Sequence, residues 1–253
     1  FKNEVYMSNN INEKDFLESV IKTYITSDSA QDRLIKSLAV RTFQSFIQPE
    51  GQALEFGCCD GYMTSLIEPL VNSLTVVDGS TTFIEMAKKK VPHKVEFVHT
   101  LFEEYHPRKK FNYIFATYVL EHVVDAVEFL KHARSLLSDN GLLFVVVPNA
   151  TAMSRQLARH MGLVDDLFAL TENDKHHGHR RVYDRVLLNR DLAAAGLMQV
   201  SQGGLLLKIL ADFQMDKMIE SEILGPSQTE GLYQMGLEYP ELAGSLFSVC
   251  KAM

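Results

Sequence analysis

Cysteine is scarce in this chain: Cys58, Cys59 and Cys250 are the only three in 253 residues. That leaves no spaced metal-binding quartet and no disulfide framework, and the adjacent Cys58 and Cys59 sit too close for an ordinary unstrained bridge. Long apolar runs are missing too. None reaches the roughly 18 residues that a membrane-spanning helix needs, and the N-terminal FKNEVYMSNNINEKDF has no signal-peptide core. Basic charge is also in short supply, with 25 Lys and Arg against 32 Asp and Glu and a formal net charge of -7. A general nucleic-acid binder displays a basic footprint, so neither nucleic acid nor membrane is expected as a partner. Cysteines without framework partners fit a reducing compartment, which makes the cytoplasm the expected location.

What is present is the composition of a folded protein, 46% hydrophobic and 23% charged. A mass of 28.6 kDa allows one large core, with or without a lid, rather than two catalytic domains. Residues 13–48 carry apolar positions at helical spacing, interrupted at Asp28 and Ser29, and predict two helices forming an N-terminal cap over 1–48. Strand and helix then alternate. Strands are expected at 53–56, 74–78, 95–99, 111–117 and 142–148, and helices at 62–70, 81–90 and 124–137, the last stopped by Gly141. Short apolar runs such as FNYIFAT and LLFVVVP read as buried parallel strands, so the fold class is doubly wound α/β. Beyond Pro148, helix is expected over 150–170 and over VLLNRDLAAAG, with strands at 197–201 and 204–210 and mixed helix and loop over 211–240.

The stretch Glu55-Phe56-Gly57-Cys58-Cys59-Asp60-Gly61 ends the first strand with an acid and a glycine turn. Backbone approaches a ligand closely where side chains are absent. It matches neither a nucleotide-triphosphate loop nor a clean G-x-G-x-x-G fingerprint. Asp78 ends the second strand and is followed by Gly79 and Ser80, an acid placed to accept both ribose hydroxyls of a nucleoside.

With these pieces in place, LEFGCCDGYMTSLI, VVDGSTTFIEMAKKK, FNYIFATYVLEHVV and GHRRVYDRVLLNRDLAAAGL together resemble class I S-adenosylmethionine-dependent methyltransferases, in the small-molecule branch similar to ubiquinone-biosynthesis enzymes. The resemblance implies a seven-stranded, mostly parallel Rossmann-like sheet with N-terminal helices and a helical lid insertion. It implies a catalytic domain over 49–210 with an acceptor-side insertion at about 150–182, and an extension over 211–253 completing the sheet or lid. It places Glu55, Gly57 and Gly61 under the amino-acid part of S-adenosyl-L-methionine, Asp78 on ribose, and Gly79, Ser80 and Phe83 near ribose and adenine. Thr100, Leu101 and Phe102 would line adenine, with Ala116 and Thr117 at the fourth strand's end. The family usually has glycine where Cys59 stands.

His122, in YVLEHV, is either a proton acceptor near neutral pH or a packed histidine beside adenosine. His176, His177 and His179 lack the cysteines or H-E-x-x-H pattern of a metal site, so no metal is expected. The same cluster is otherwise a solvated basic loop or an anion pocket. For the pocket reading, His179, Arg180 and Tyr183 are the candidates to hold an anionic small-molecule acceptor through charge-assisted bonds. Methyl transfer to oxygen or nitrogen, releasing S-adenosyl-L-homocysteine, is the expected activity. The competing readings are a methyltransferase fold reduced to binding or regulation and, less supported, a nicotinamide oxidoreductase. Homo-oligomerisation is left open.

Overall fold

The computed structural model describes Glu13, Val20, Ile21 and residues 29–253 other than His93. Apart from those three residues, the first of the two expected N-terminal helices lies outside the described part. The second is α1 (Ala30–Phe43), which starts where Ser29 Oγ accepts the Asp32 amide hydrogen at 3.1 Å.

Seven strands form one sheet: β1 (Gln52–Phe56), β2 (Ser73–Asp78), β3 (Glu96–His99), β4 (Phe111–Thr117), β5 (Leu137–Pro148), β6 (Leu197–Leu205) and β7 (Ser245–Ala252). Their order is β3-β2-β1-β4-β5-β7-β6. β1 to β5 pair in parallel, and β7 is antiparallel to both its neighbours. This is the doubly wound, mostly parallel seven-stranded fold that the sequence predicts.

Strand residues alternate between two apolar layers. Ala53, Val76, Phe115 and Phe144 face the layer containing α1, α2 (Tyr62–Ile67) and α3 (Thr81–Lys88). Leu54, Phe56, Ile114 and Val145 face the layer of α4 (Ala126–Ser135) and α7 (Arg185–Ala194). Because both faces are covered, the strands are continuous apolar runs rather than half-polar ones. Phe43 of α1 packs 4.8 Å from Phe144 and 6.0 Å from Phe247, ring centre to ring centre, which seats α1 directly on the sheet.

Several boundaries differ from expectation. The helix after β4 ends at Ser135, not at Gly141, and β5 already pairs at Leu137 with Phe111 before a four-residue excursion containing Asn140 in a left-handed conformation. Residues 150–170 hold only a short helix, α5 (Met153–His160), closed by Gly162 at φ 72°. The two strands read over 197–210 are one, β6, irregular between Gln199 and Ser201. Leu206, at φ 53°, turns the chain out of the sheet there. Residues 211–240 are largely helical, as α8 (Asp212–Glu220) and α9 (Pro226–Glu238), the latter opening on a proline whose missing N–H is not needed in the first turn. The tail supplies β7, whose Leu246 to Cys250 are buried. Among the described residues, no helix is long and apolar enough to cross a membrane.

Candidate functional site

β2 and β3 lie on one side of β1, while β4 and β5 lie on the other, so the strand order reverses between β1 and β4. Ligands of open parallel sheets bind outside the strand carboxyl ends at such a point. A cavity of about 1020 Å³ opens there. Pockets for a small ligand run to roughly 300–1,000 Å³, so this one stands at the upper end of that range.

One end of the cavity is built by the turn after β1. Gly57, Cys59 and Gly61 adopt positive φ angles of 78°, 47° and 83°, turning the chain sharply before α2. A Cβ on Gly61 would lie 2.5 Å from the Ala87 Cα, so the closeness of α3 also demands glycine there. Cysteine at 59 adopts the backbone conformation that glycine would take, which carries a modest strain. Cys58 is buried, and burial pushes its thiol far above the ordinary range; burial likewise raises Cys59 to about 11. Neither is an activated nucleophile.

Asp78 ends β2 with both carboxylate oxygens anchored: Oδ2 accepts the Cys58 amide at 2.9 Å and Oδ1 the Ser80 amide at 2.8 Å. Burial raises its pKa against these bonds. Glu55, one residue before the end of β1, is wholly buried, and neither of its oxygens meets hydrogen-bond geometry. Burial pushes its pKa up to about 8, with the Asp78 charge adding to the effect and the Thr64 hydroxyl opposing it.

Of the residues singled out in the sequence, Gly57, Asp78, Gly79, Phe83, Leu101, Phe102, Thr117, His122 and His179 line the cavity. Glu55, Gly61, Ser80, Thr100 and Ala116 stand behind that wall: Ser80 Oγ caps α3 by accepting the Phe83 amide at 3.2 Å, and the Thr100 amide donates to the Asp78 carbonyl at 3.1 Å.

The other end gathers distant segments. His122 and His179 meet edge to face with ring centres 4.8 Å apart, and one ligating atom from each of Glu121, His122 and His179 lies within 4.8 Å of the others. A group of this kind has the donor set to hold a metal ion, although the sequence suggested none. Burial lowers the His122 pKa to about 3, helped by the neighbouring His179. Burial raises Glu121 to about 7, with His179 and Arg181 opposing. Asp174 is held well below the usual carboxylate range despite its burial, by His179 beside it and by bonds from Thr171.

The expected anion pocket is not assembled. Tyr183 is buried away from the cavity, its hydroxyl donating to Asp191 at 3.1 Å, because it belongs to the layer under α7. Arg180 does not line the cavity; its Nε donates to the His122 carbonyl at 2.8 Å and its Nη2 pairs with Glu13 at 2.9 Å. Arg181 is consumed by the carbonyls of Leu120, Val123 and Val124, fastening the segment after β4.

Residues 28–202 match the protein family described as methyltransferase domain. The chain belongs to that family. The ubiquinone biosynthesis O-methyltransferase of Bradyrhizobium diazoefficiens is 34% identical over 110 residues, 42% of this chain and 44% of that protein. That of Pelagibacter ubique is 29% identical over 127 residues, 49% and 52% of the two chains. The matched region thus spans about half the length of these curated relatives. Two solved structures share the fold. The N-methyltransferase NodS of Bradyrhizobium japonicum WM9 with S-adenosylhomocysteine superposes with a TM-score of 0.60 at 16% identity, covering 95% of this chain and 98% of NodS. A DhpI complex with SAM and HEP gives 0.61 at 17%, covering 96% and 99%.

The methyltransferase domain also brings to its cavity Tyr118, which opens the flagged YVLEHV, and residues that sequence reading passed over: Ser245, Asp174, Lys36 and Asp216. Tyr118 adopts φ 58° and its hydroxyl lies 3.0 Å from Ser245 Oγ, joining the end of β4 to the start of β7. Glu121 was next to a flagged histidine. Ser245 and Asp216 carried no signal, since they reach the site only once the tail folds back as α8 and β7.

Proposed function

We propose that this methyltransferase domain transfers the methyl group of S-adenosylmethionine to an oxygen or nitrogen of a small molecule bound in the same cavity, releasing S-adenosylhomocysteine. The observation that carries this reading is continuity: a single cavity runs from Asp78 and the glycine turn to Glu121, His122 and His179. The residues fit the cofactor. The turn leaves backbone exposed at Gly57, the anchored Asp78 carboxylate retains lone pairs for ribose hydroxyls, and Phe83, Leu101 and Phe102 offer apolar cover for a base.

The cofactor supplies an activated methyl group, so the chain's tasks are orientation, exclusion of water and removal of a proton. His122, held neutral and low in basicity, orients by hydrogen bonding. Glu121, near 7, is matched to take a proton at neutral pH. α1 and α8 roof the cavity, tied where Asp216 Oδ1 accepts the Ser29 hydroxyl and the Gln31 amide, both at 2.8 Å.

The test is calorimetric titration of S-adenosylmethionine and S-adenosylhomocysteine into the purified chain, with NAD as control and Asp78→Ala as the paired variant. Saturable binding of both adenosyl compounds, lost in the variant, is the expected result. Selective binding of NAD, or no binding by folded protein, overturns the reading.

A further inference from the structure

We infer that the methyl acceptor is an amine, docked as its ammonium form against Glu121 and His179 and losing one proton to Glu121 before its nitrogen lone pair attacks the methyl carbon; this rests on the methyltransferase reading and specifies the substrate class. Three observations lead there. The first is charge. Among the described residues, eleven Asp and Glu side chains line the cavity against four Lys and Arg. Three of those four cations already have carboxylate partners: Lys36 with Asp32 at 2.7 Å, Arg155 with Asp174 at 3.2 Å, and Lys208 with Asp212. The fourth, Arg33, lies over the Tyr62 ring at 5.5 Å. Part of the excess, at Asp60, Asp78 and Glu103, belongs to the cofactor end, and Glu13 and Glu128 pair with Arg180 and Lys131 just outside the lining; Glu121 and Asp216 belong to the acceptor end.

The second is the fate of the guanidinium groups. Arg155 donates to the carbonyls of Leu167 and Ala169, and Arg180 and Arg181 are likewise held by backbone oxygens. An incoming carboxylate or phosphate would find no uncommitted arginine fork there. The third is an unmet acceptor. Glu121 is 1% exposed, lines the cavity, and its Oε2 has no hydrogen-bond partner among the described residues. His179 Nδ1 stands 3.3 Å from Asp174 Oδ1 without hydrogen-bond geometry. A buried acceptor left unmade is costly, and an ammonium group, with donors only and a positive charge, meets this need.

The same donor set also suits a divalent cation, so the experiment separates the two. The full chain, treated with chelator and saturated with S-adenosylhomocysteine, is titrated with three probes of one shape: tyramine, tyrosol and 4-hydroxyphenylacetate. Mg²⁺ and Zn²⁺ are titrated separately. Tyramine is expected to bind at least ~10-fold tighter than 4-hydroxyphenylacetate, with tyrosol between them, and Glu121→Gln is expected to shrink that ratio to about 3-fold or less. His179→Gln provides a second variant, expected to weaken tyramine in the same direction. Equal affinity for the three, preference for the carboxylate, no saturable tyramine binding, or displacement of tyramine by a tightly bound metal overturns the inference. Failure of S-adenosylhomocysteine itself to bind overturns instead the reading on which it rests.

Discussion

The cavity's two ends are made differently. The end assigned to the cofactor is built from the tips of β1 and β2, the turn of residues 57–61 and the short segment after β3, so its polar anchors are backbone amides and one carboxylate within about 50 residues of sequence. The acceptor end is built from side chains of the segment after β4, the loop around His179, α8 and the first residue of β7, drawn together from distant parts of the sequence, with α1 reaching from there over the glycine turn, where Arg33 lies over the Tyr62 ring. Backbone anchors on strand ends are rigid; a roof joined by side-chain bonds is adjustable. This predicts that damage at the first end is local and severe, while damage at the second is graded.

The largest effect is expected at Asp78. Asp78→Ala removes the carboxylate proposed to accept two ribose hydroxyls and should weaken S-adenosylhomocysteine roughly 10²-fold, about 3 kcal/mol, by calorimetry. Asp78→Asn, which keeps one oxygen for the Cys58 or Ser80 amide, separates ligand loss from collapse of the turn. A loss below about 5-fold in both variants would break the contrast between the two ends.

Next comes the buried carboxyl at Glu55. Its pKa rises from 4.5 to about 8 in the folded chain. The native state therefore binds more protons than the unfolded chain within that window, and the stabilisation present below it is lost as pH rises through about 8. Glu121 behaves alike but is spent by about 7, and His122, lowered from 6.5 to about 3, acts on the acid side. Among these three groups, Glu55 is the main contributor between pH 7 and 8, with a slope of up to ~1.4 kcal/mol per pH unit. Urea unfolding at both pH values should show stability falling in the parent and nearly level in Glu55→Gln.

A smaller effect is expected at the roof. Asp216→Ala removes the acceptor from Ser29 and Gln31 at the start of α1. A lost cap interaction costs about 1–2 kcal/mol, so amide exchange over residues 30–33 should quicken about 5- to 30-fold while β1 and β4 amides stay protected. Equal acceleration in the strands would mean that roof and sheet open together.

The same contrast governs what the sequence disclosed. The sheet, its parallel order and the turn were legible because each rests on local signals: continuous apolar runs, glycines beside an acid, and a second acid at the end of β2. The acceptor wall was not, because residue type alone does not reveal where a side chain points. His179, Arg180 and Tyr183 looked like an anion pocket, yet Arg180 binds backbone and Glu13 and Tyr183 binds Asp191, while His179 lines the cavity. Ser245 and Asp216 enter the site through long-range folding of the tail, for which no local pattern exists.

The finest test lies inside the turn, where neighbouring positions of like conformation should respond differently. Cys59 pays a left-handed backbone cost of about 1–2 kcal/mol, and Cys59→Gly removes it while giving back roughly 0.5–1 kcal/mol of freedom to the unfolded chain. The net expectation is stabilisation of about 0–1.5 kcal/mol, read as a small upward shift in the denaturation midpoint. Gly61→Ala shares the conformational strain but adds a methyl group only 2.5 Å from the Ala87 Cα, so it should destabilise by more than about 2 kcal/mol. If Cys59→Gly also destabilised, the thiol side chain would be supporting the turn through its packing beside Lys36, and the cofactor end would depend on side chains as the acceptor end does.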